Sequence, residues 1–434
     1  MADGAASVID AAREEAYATP LDQIDVSAQD RFVTDTHWPF FERLRNEAPV
    51  HWGVSPEFGG YWSVTKFEDI IAIETNHNVF SSEKNISIGD NGEGPNGEQP
   101  NPEAEPFELP MFIAMDPPKH DEQRKTIAPI VSSENLRNME PLIRERAGKI
   151  LDELPVGEPF DWVQRVSVEL TTQMLATLFD FPFEERAKLT YWSDLTTNPT
   201  MPSKLNPGED MQWEEAKAEL LGCAFYFKNL WDQRVKEPPK TDLISMLAHG
   251  EATKDMPLFE FLGNILLLIV GGNDTTRNTL SGGLLALNDN PDQYDKLRAN
   301  PALIETMVPE MIRYQSPVAH MRRTAKEDFE FQGKLIKKGE KVVMWYLSGN
   351  RDETAIPNPN AFIIDRERPR HHAAFGFGIH RCVGMRLAEM QLRVVWEEIM
   401  KRYPRIDVVG EPVRLRSCFL RAIRSLEAQI PARG

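Results

Sequence analysis

The residues most able to do chemistry lie near the C-terminal end of the 434-residue chain, in Phe375-Gly376-Phe377-Gly378-Ile379-His380-Arg381-Cys382-Val383-Gly384. A cysteine is set among glycines and a phenylalanine in the order F-G-x-G-x-x-x-C-x-G, which this composition yields by chance in about three of 100,000 chains. Glycine lacks a Cβ, so the backbone here can pass close to a flat ligand and turn N–H groups toward the sulfur. Helical spacing of apolar residues starts at Val383 and runs to Arg402, placing Cys382 at a helix N-terminus, where partial positive charge favours thiolate over thiol. A thiolate presented from such a loop suits ligation of haem iron, where its electron donation promotes O–O cleavage. Cys223 and Cys418 lack these surroundings and read as small buried apolar residues.

A second chemical segment is NILLLIVGGNDTTRNTLSGG, from Asn264 to Gly283. Its two central glycines each cost about 1 kcal/mol relative to alanine in an otherwise strong helix former. Helical geometry puts Asn264, Leu268, Gly271, Thr275 and Thr279 on one face, so Gly271 leaves a notch beside a hydroxyl. Thr275 can bond back to the carbonyl of Gly271 and loosen the helix there. A glycine-mediated helix crossing with a core threonine would give the same spacing.

Mostly helical elements must position these residues. Apolar periodicity predicts helices over 135–153, 159–180, 183–195, 211–236, 257–288, 301–316 and 383–402. Alternation predicts paired strands at 51–54 and 60–64, further strands at 324–331 and 341–346, and an irregular stretch from 348 to 377. The segment 89–110, GDNGEGPNGEQPNPEAEPFELP, is rich in Gly, Pro and acids; it is either a linker or a cover over a site.

Composition removes several function classes. With 49 Lys+Arg against 67 Asp+Glu the net charge is −18, which disfavours nucleic acid and anionic membranes as partners. Hydrophobic residues at 41% and charged residues at 27% fit a globular protein. The three cysteines include no C-x-x-C pair, against a disulfide framework or a cysteine-rich zinc site. Acids occupy the N-terminal positions where a secretory leader carries Lys or Arg. The most apolar stretch, ILLLIV from Ile265, falls far short of the ~20 residues that span a bilayer. The expectation is a cytoplasmic protein without a membrane span. One region reverses the overall sign: from Arg366 to Arg405 nine Arg or Lys face four Glu, a local field that would steer an acidic partner.

Taken together, these motifs resemble the cytochrome P-450 superfamily over most of the chain. The resemblance implies a mainly α fold with a small β region, the triangular haem-thiolate prism, as a single domain over residues 1–434. It implies Cys382 as the axial ligand of haem b and His380 as a partner of a haem propionate. His120 and Arg124, in MDPPKHDEQRK, and Arg323, in MRRTAKEDFEF, match further propionate partners. The run G-G-N-D-T-T matches the acid–alcohol motif, which makes Asp274 and Thr275 a proton relay. Glu310 and Arg313 match the E-x-x-R pair, a folding element, with Arg366 or Arg368 to complete it. The 89–110 segment falls where the family has a substrate-covering loop.

The wording of GGNDTTRNT, PVAHMRRT and HHAAFGFGIHRCVGMRLAEMQLR is similar to the bacterial soluble terminal alkane and fatty-acid ω-hydroxylases. That likeness implies oxidation at the terminal carbon of a medium-chain alkane or fatty acid, with a terpene or steroid-like substrate as the alternative. Positions matching the family's substrate contacts are Leu267, Val270, Gly271, Val318, Ala319, Met321, Phe419 and Leu420, all apolar or small. Electrons would come from NAD(P)H through a ferredoxin reductase and an acidic 2Fe-2S ferredoxin meeting the basic segment. A haem-thiolate sensor or carrier would need no Asp274-Thr275 pair, and a peroxide-driven enzyme would need no ferredoxin.

Overall fold

Large apolar and small or polar residues alternate from 50 to 64 and fold as a hairpin. Strand β1 (Val50–Ser55) pairs antiparallel with β2 (Gly59–Val64), and Gly59 turns the chain at a φ of +69°. Trp52 and Trp62 face each other across it at 5.4 Å. The computed structural model describes residues 2–89, 109–198, 201–206 and 208–432, which sort into two compact units. The first comprises Met1–Pro106, Gly282–Cys382 and Glu411–Ser425; the second comprises Phe107–Ser281, Val383–Gly410 and Leu426–Gly434.

In the first unit the hairpin is extended by β3 (Phe80–Ser81), β4 (Met321–Ala325) and β5 (Lys341–Met344) into a sheet of order β1-β2-β5-β4-β3. Only β2–β5 is parallel. Apolar residues cover both faces, with Tyr61, Val343 and Phe41 in one cluster and Val64, Val342, Met344 and Phe67 in another. This two-sided burial explains why Val342 to Leu347 is an unbroken apolar run. The predicted 324–331 strand divides: β4 ends at Ala325, and Phe329–Phe331 pairs separately with Lys334–Ile336. Gln332 and Gly333, both at positive φ, make that two-residue turn.

The irregular 348–377 stretch is held by a buried ion cluster. Arg313 chelates Glu310 through two bonds of 2.7 Å, and Arg366 approaches the same carboxylate at 2.9 and 3.1 Å. The remaining Arg313 protons go to the carbonyls of Asn350, Pro359 and Ala361. Arg366 therefore completes the cluster, while Arg368 is exposed beside His371.

The second unit is helical. Helix Ser133–Asp152, capped by the Ser132 hydroxyl, lies against Met385–Arg402, and Trp213–Arg234 and Leu258–Asp289 follow the predicted spans to within two residues. The predicted 159–180 helix starts late. Pro159–Asp161 is a strand paired with Glu427–Gln429, and Asp161 then caps the helical turns that lead into Glu169–Leu178. The long helix is apolar enough to cross a membrane by length and composition, but 56% of its most apolar window is buried. Asn264, Asn273 and Asp274 are fully enclosed on it and hydrogen-bonded, as a core helix requires.

Candidate active site

The cysteine loop needs its glycines for two distinct reasons. Gly376 and Gly378 adopt φ of +64° and +65°, a region costly for any residue with a Cβ. A Cβ on Gly378 would also lie 2.6 Å from the backbone oxygen of Glu74. Within this fold Cys382 is exposed while Cys223 and Cys418 are buried, and burial raises both of those thiols. The Cys382 N–H donates to the Phe375 carbonyl at 2.8 Å and closes the loop. The following helix begins at Met385, not at Val383, because Val383 and Gly384 form a turn with Gly384 as the cap.

A residue that spacing did not reveal organises this loop. The buried Glu74 carboxylate accepts the Phe377 N–H at 2.7 Å, the Tyr346 hydroxyl and Arg323 Nη2 at 3.3 Å. Arg323 is 3% exposed and also donates to the Arg322 carbonyl. Burial raises the Glu74 carboxyl above the ordinary range, opposed by Arg323 and Tyr346. His380 meets the Ser82 hydroxyl at 3.1 Å. In the first unit the structure thus brings the Cys382 loop, Arg323 and His380 onto the segments around Glu74 and Ser82.

Within the second unit, His120 and Arg124 share a face of helix Lys119–Ile127. His120 is fully buried, with Nδ1 2.7 Å from Asp121, and Arg124 is half-buried, so neither is a solvated surface cation. This helix is tied to the long helix by polar contacts. Asn264 donates to Gln123 at 2.9 Å, and Gln123 and Lys119 both donate to Glu260.

The paired glycines of the long helix do different work. A Cβ on Gly272 would meet Leu175 at 2.8 Å, so this glycine admits a neighbouring helix. A Cβ on Gly271 would meet nothing within 4 Å: it faces open space from the middle of the helix. Thr275 donates to the Gly271 carbonyl at 2.9 Å beside that opening. Asp274 is enclosed, ion-paired with Arg277 and accepting from Ser193 at 3.0 Å; Arg277 also holds Asp194 at 2.9 Å. Burial pushes the Asp274 carboxyl upward, while Arg277 pulls it back.

Among the substrate positions inferred from family likeness, Leu267 and Val270 are partly exposed near Gly271 on the long helix. In the first unit Val318 bridges Leu420, and the Ala319 N–H donates to the Phe419 carbonyl at 2.8 Å; Val318, Met321 and Phe419 are partly exposed, whereas Leu420 is buried. Ala319 itself is fully enclosed with Trp345 and Cys418, so it offers no contact to a ligand. Of the proposed covering segment, residues 90–108 lie outside the described residues.

The basic segment needs correction. Arg366 binds Glu310, Arg393 binds Glu140, Arg402 binds Asp152 and Arg405 binds Asp407. These four acids lie outside the segment, and Arg144, which pairs with Glu397 and Glu398, adds one cation, so the excess of five positive charges falls to two. Arg368, Arg370, Arg381 and Arg386 remain exposed.

Each unit carries groups that fit a haem: the first has an exposed cysteine on a glycine loop and the buried Arg323, and the second has the buried His120, the half-buried Arg124 and an open notch on the long helix. The profile of the family described as Cytochrome P450 matches residues 90–407. The chain is 36% identical to linalool 8-monooxygenase of Pseudomonas putida, over 94% of this chain and 98% of that one. It is 44% identical in sequence to the solved structure of cytochrome P450-153 from Novosphingobium aromaticivorans, with a TM-score of 0.84 and coverage of 93% and 98%. It is 46% identical to CYP153D17 from Sphingomonas sp. PAMC 26605, also at a TM-score of 0.84, with coverage of 94% and 98%. The glycine-bounded thiol, the notched helix and relatives matching from end to end place this chain in the cytochrome P450 family, as a haem b monooxygenase driven by NAD(P)H through redox partners.

Proposed function

We propose that this enzyme hydroxylates the terminal carbon of a medium-chain alkane or fatty acid in the cytoplasm, with an acidic 2Fe-2S ferredoxin and its reductase as electron donors. The balanced reaction takes one C–H bond, dioxygen, two electrons and two protons to an alcohol and water. The observation that carries the reading is the notch at Gly271, flanked by Leu267 and Val270 and open in the middle of a long helix. Apart from the Thr275 hydroxyl these flanking residues are apolar and give a chain little polar anchorage, so position along it must be set by shape.

When bound, haem supplies the activation of dioxygen that this reaction requires. Cys382 would offer the thiolate that holds its iron, from a loop whose course Gly376 and Gly378 permit. His120, Arg124, Arg323 and His380 are the residues proposed to hold the propionates. Arg323 would do so from a fixed position, because Glu74 and the Arg322 carbonyl already hold its guanidinium. Thr275 carries a proton at Oγ1, and Asp274 refills it. Asp274 must first loosen its pairing with Arg277, which Asp194 can keep neutralised during the exchange.

The test is product analysis. Reconstituted enzyme is incubated with alkanes, primary alcohols and fatty acids of graded length, and the new hydroxyl is located by mass spectrometry. The reading predicts terminal products that dominate at one chain length; oxidation confined to internal methylenes would overturn it. The relative named linalool 8-monooxygenase favours a second reading, a terpene alcohol substrate, and the same assay with linalool separates the two.

A further inference from the structure

Three stretches that could face a substrate in the first unit meet at one imidazole. His320 is fully buried, with its ring edge-on to Trp345 at 4.7 Å and to Phe419 at 5.3 Å. Its Nε2 accepts the Ile88 N–H at 3.1 Å, and its Nδ1 lies 2.9 Å from the Cys418 carbonyl. A backbone N–H can only donate and a carbonyl can only accept, so the ring must be neutral with its proton on Nδ1. Burial favours the same state by holding the imidazole down to about 4. Next to it the Arg322 N–H donates to the Ile86 carbonyl and the Arg322 side chain to the Gly89 carbonyl, while Asn85 closes the 85–89 turn on Gly89.

We propose that His320 is a positioning residue for regioselectivity: one neutral ring fixes residues 85–89, 318–321 and 418–420 to each other, and so fixes where Val318, Met321 and Phe419 present their apolar surfaces. The inference rests on the reading that these residues line the substrate's path. A ring held by one donor and one acceptor keeps both segments in register more stiffly than packing alone, because sliding either segment breaks a buried hydrogen bond.

The two arms separate by substitution in the holoenzyme. His320→Gln keeps an acceptor near the Nε2 position for Ile88, whereas His320→Asn reaches only the Cys418 side. Amide hydrogen exchange of the 85–89 peptide in substrate-free enzyme should quicken at Ile88 about tenfold in His320→Asn and stay near wild type in His320→Gln. The ratio of the preferred to the neighbouring hydroxylation position should fall about fivefold in His320→Asn and be largely rescued in His320→Gln, with haem content unchanged. Unprotected exchange at Ile88 in the wild-type holoenzyme would overturn the clamp without any variant. So would an unaltered product ratio in His320→Asn once Ile88 is released. If the wild type attacks internal carbons, the terminal-hydroxylation reading fails, yet the exchange result and the shift from its own preferred position still judge His320.

Discussion

Asp274 and Thr275 adjoin in the chain but sit in different surroundings: the carboxylate is enclosed among Arg277 and Ser193, and the hydroxyl hangs over the Gly271 carbonyl beside open space. Thr275→Ala should leave haem and substrate binding intact while NAD(P)H oxidation diverts to hydrogen peroxide, and Thr275→Ser should restore coupling. Asp274→Asn should slow product formation about 100-fold. Equal coupling of NAD(P)H to product in Thr275→Ala would end the relay assignment. Glu74 calls for a different test. Glu74→Ala leaves the buried Arg323 guanidinium without its acid and should cost about 3–5 kcal/mol, seen as a lower unfolding temperature and faster haem loss. Glu74→Gln, which still accepts the Phe377 N–H, should cost clearly less. The cysteine loop was legible because its backbone demands glycine at fixed places, and that demand is written in the sequence. Glu74 was not legible, since its partners Arg323 and Phe377 lie 249 and 303 residues away and only folding brings them together.

Helices announce themselves when one face is apolar over several turns, and Trp213–Arg234 and Leu258–Asp289 met that condition. Helix Lys119–Ile127 did not: its buried residues are His120, Gln123 and Ile127, and it is placed by hydrogen bonds to Glu260 and Asn264 instead of an apolar stripe. The strand Pro159–Asp161 stayed hidden because its partner, Glu427–Gln429, is at the far end of the chain. Within the long helix the two glycines make opposite predictions. Gly271→Ala adds a methyl to open space and should stabilise by up to about 1 kcal/mol through helix propensity, while narrowing the notch and lowering turnover. Gly272→Ala drives a Cβ to 2.8 Å from Leu175 and should destabilise by about 1–2 kcal/mol. Thermal unfolding of the two holoenzymes should order them Gly271→Ala above wild type above Gly272→Ala; the reverse order would refute the division of labour.

Charge and burial act on the whole molecule. The net charge of −18 is softened near Cys382 by exposed arginines such as Arg381 and Arg386, while several other cations of that segment are tied to acids. Electron transfer from the acidic ferredoxin proposed above should therefore slow with rising salt, but with a shallow slope, and Arg386→Glu should slow it further at low salt. Burial gives stability a steeper dependence on pH. It holds His37 and His372 down to about 3 and His320 to about 4, with Asp35 partly opposing it at His37. Unfolded, all three imidazoles titrate near the ordinary value of about 6.5. Below that pH the unfolded chain takes up protons that the folded chain refuses. Stability is therefore complete above about 6.5 and falls as the pH drops toward the folded values, by up to about 1.4 kcal/mol per pH unit for each ring. Glu74 and Asp274, raised by burial, act in the opposite direction, since the folded chain keeps their protons at pH values where the unfolded chain has released them. The unfolding temperature of the holoenzyme should fall progressively from pH 6.5 to 5. His37→Phe, which preserves the stacking on Phe32 at 4.4 Å, should flatten that fall by about one proton's worth. An unchanged slope in His37→Phe would mean that this ring is not kept neutral by the fold.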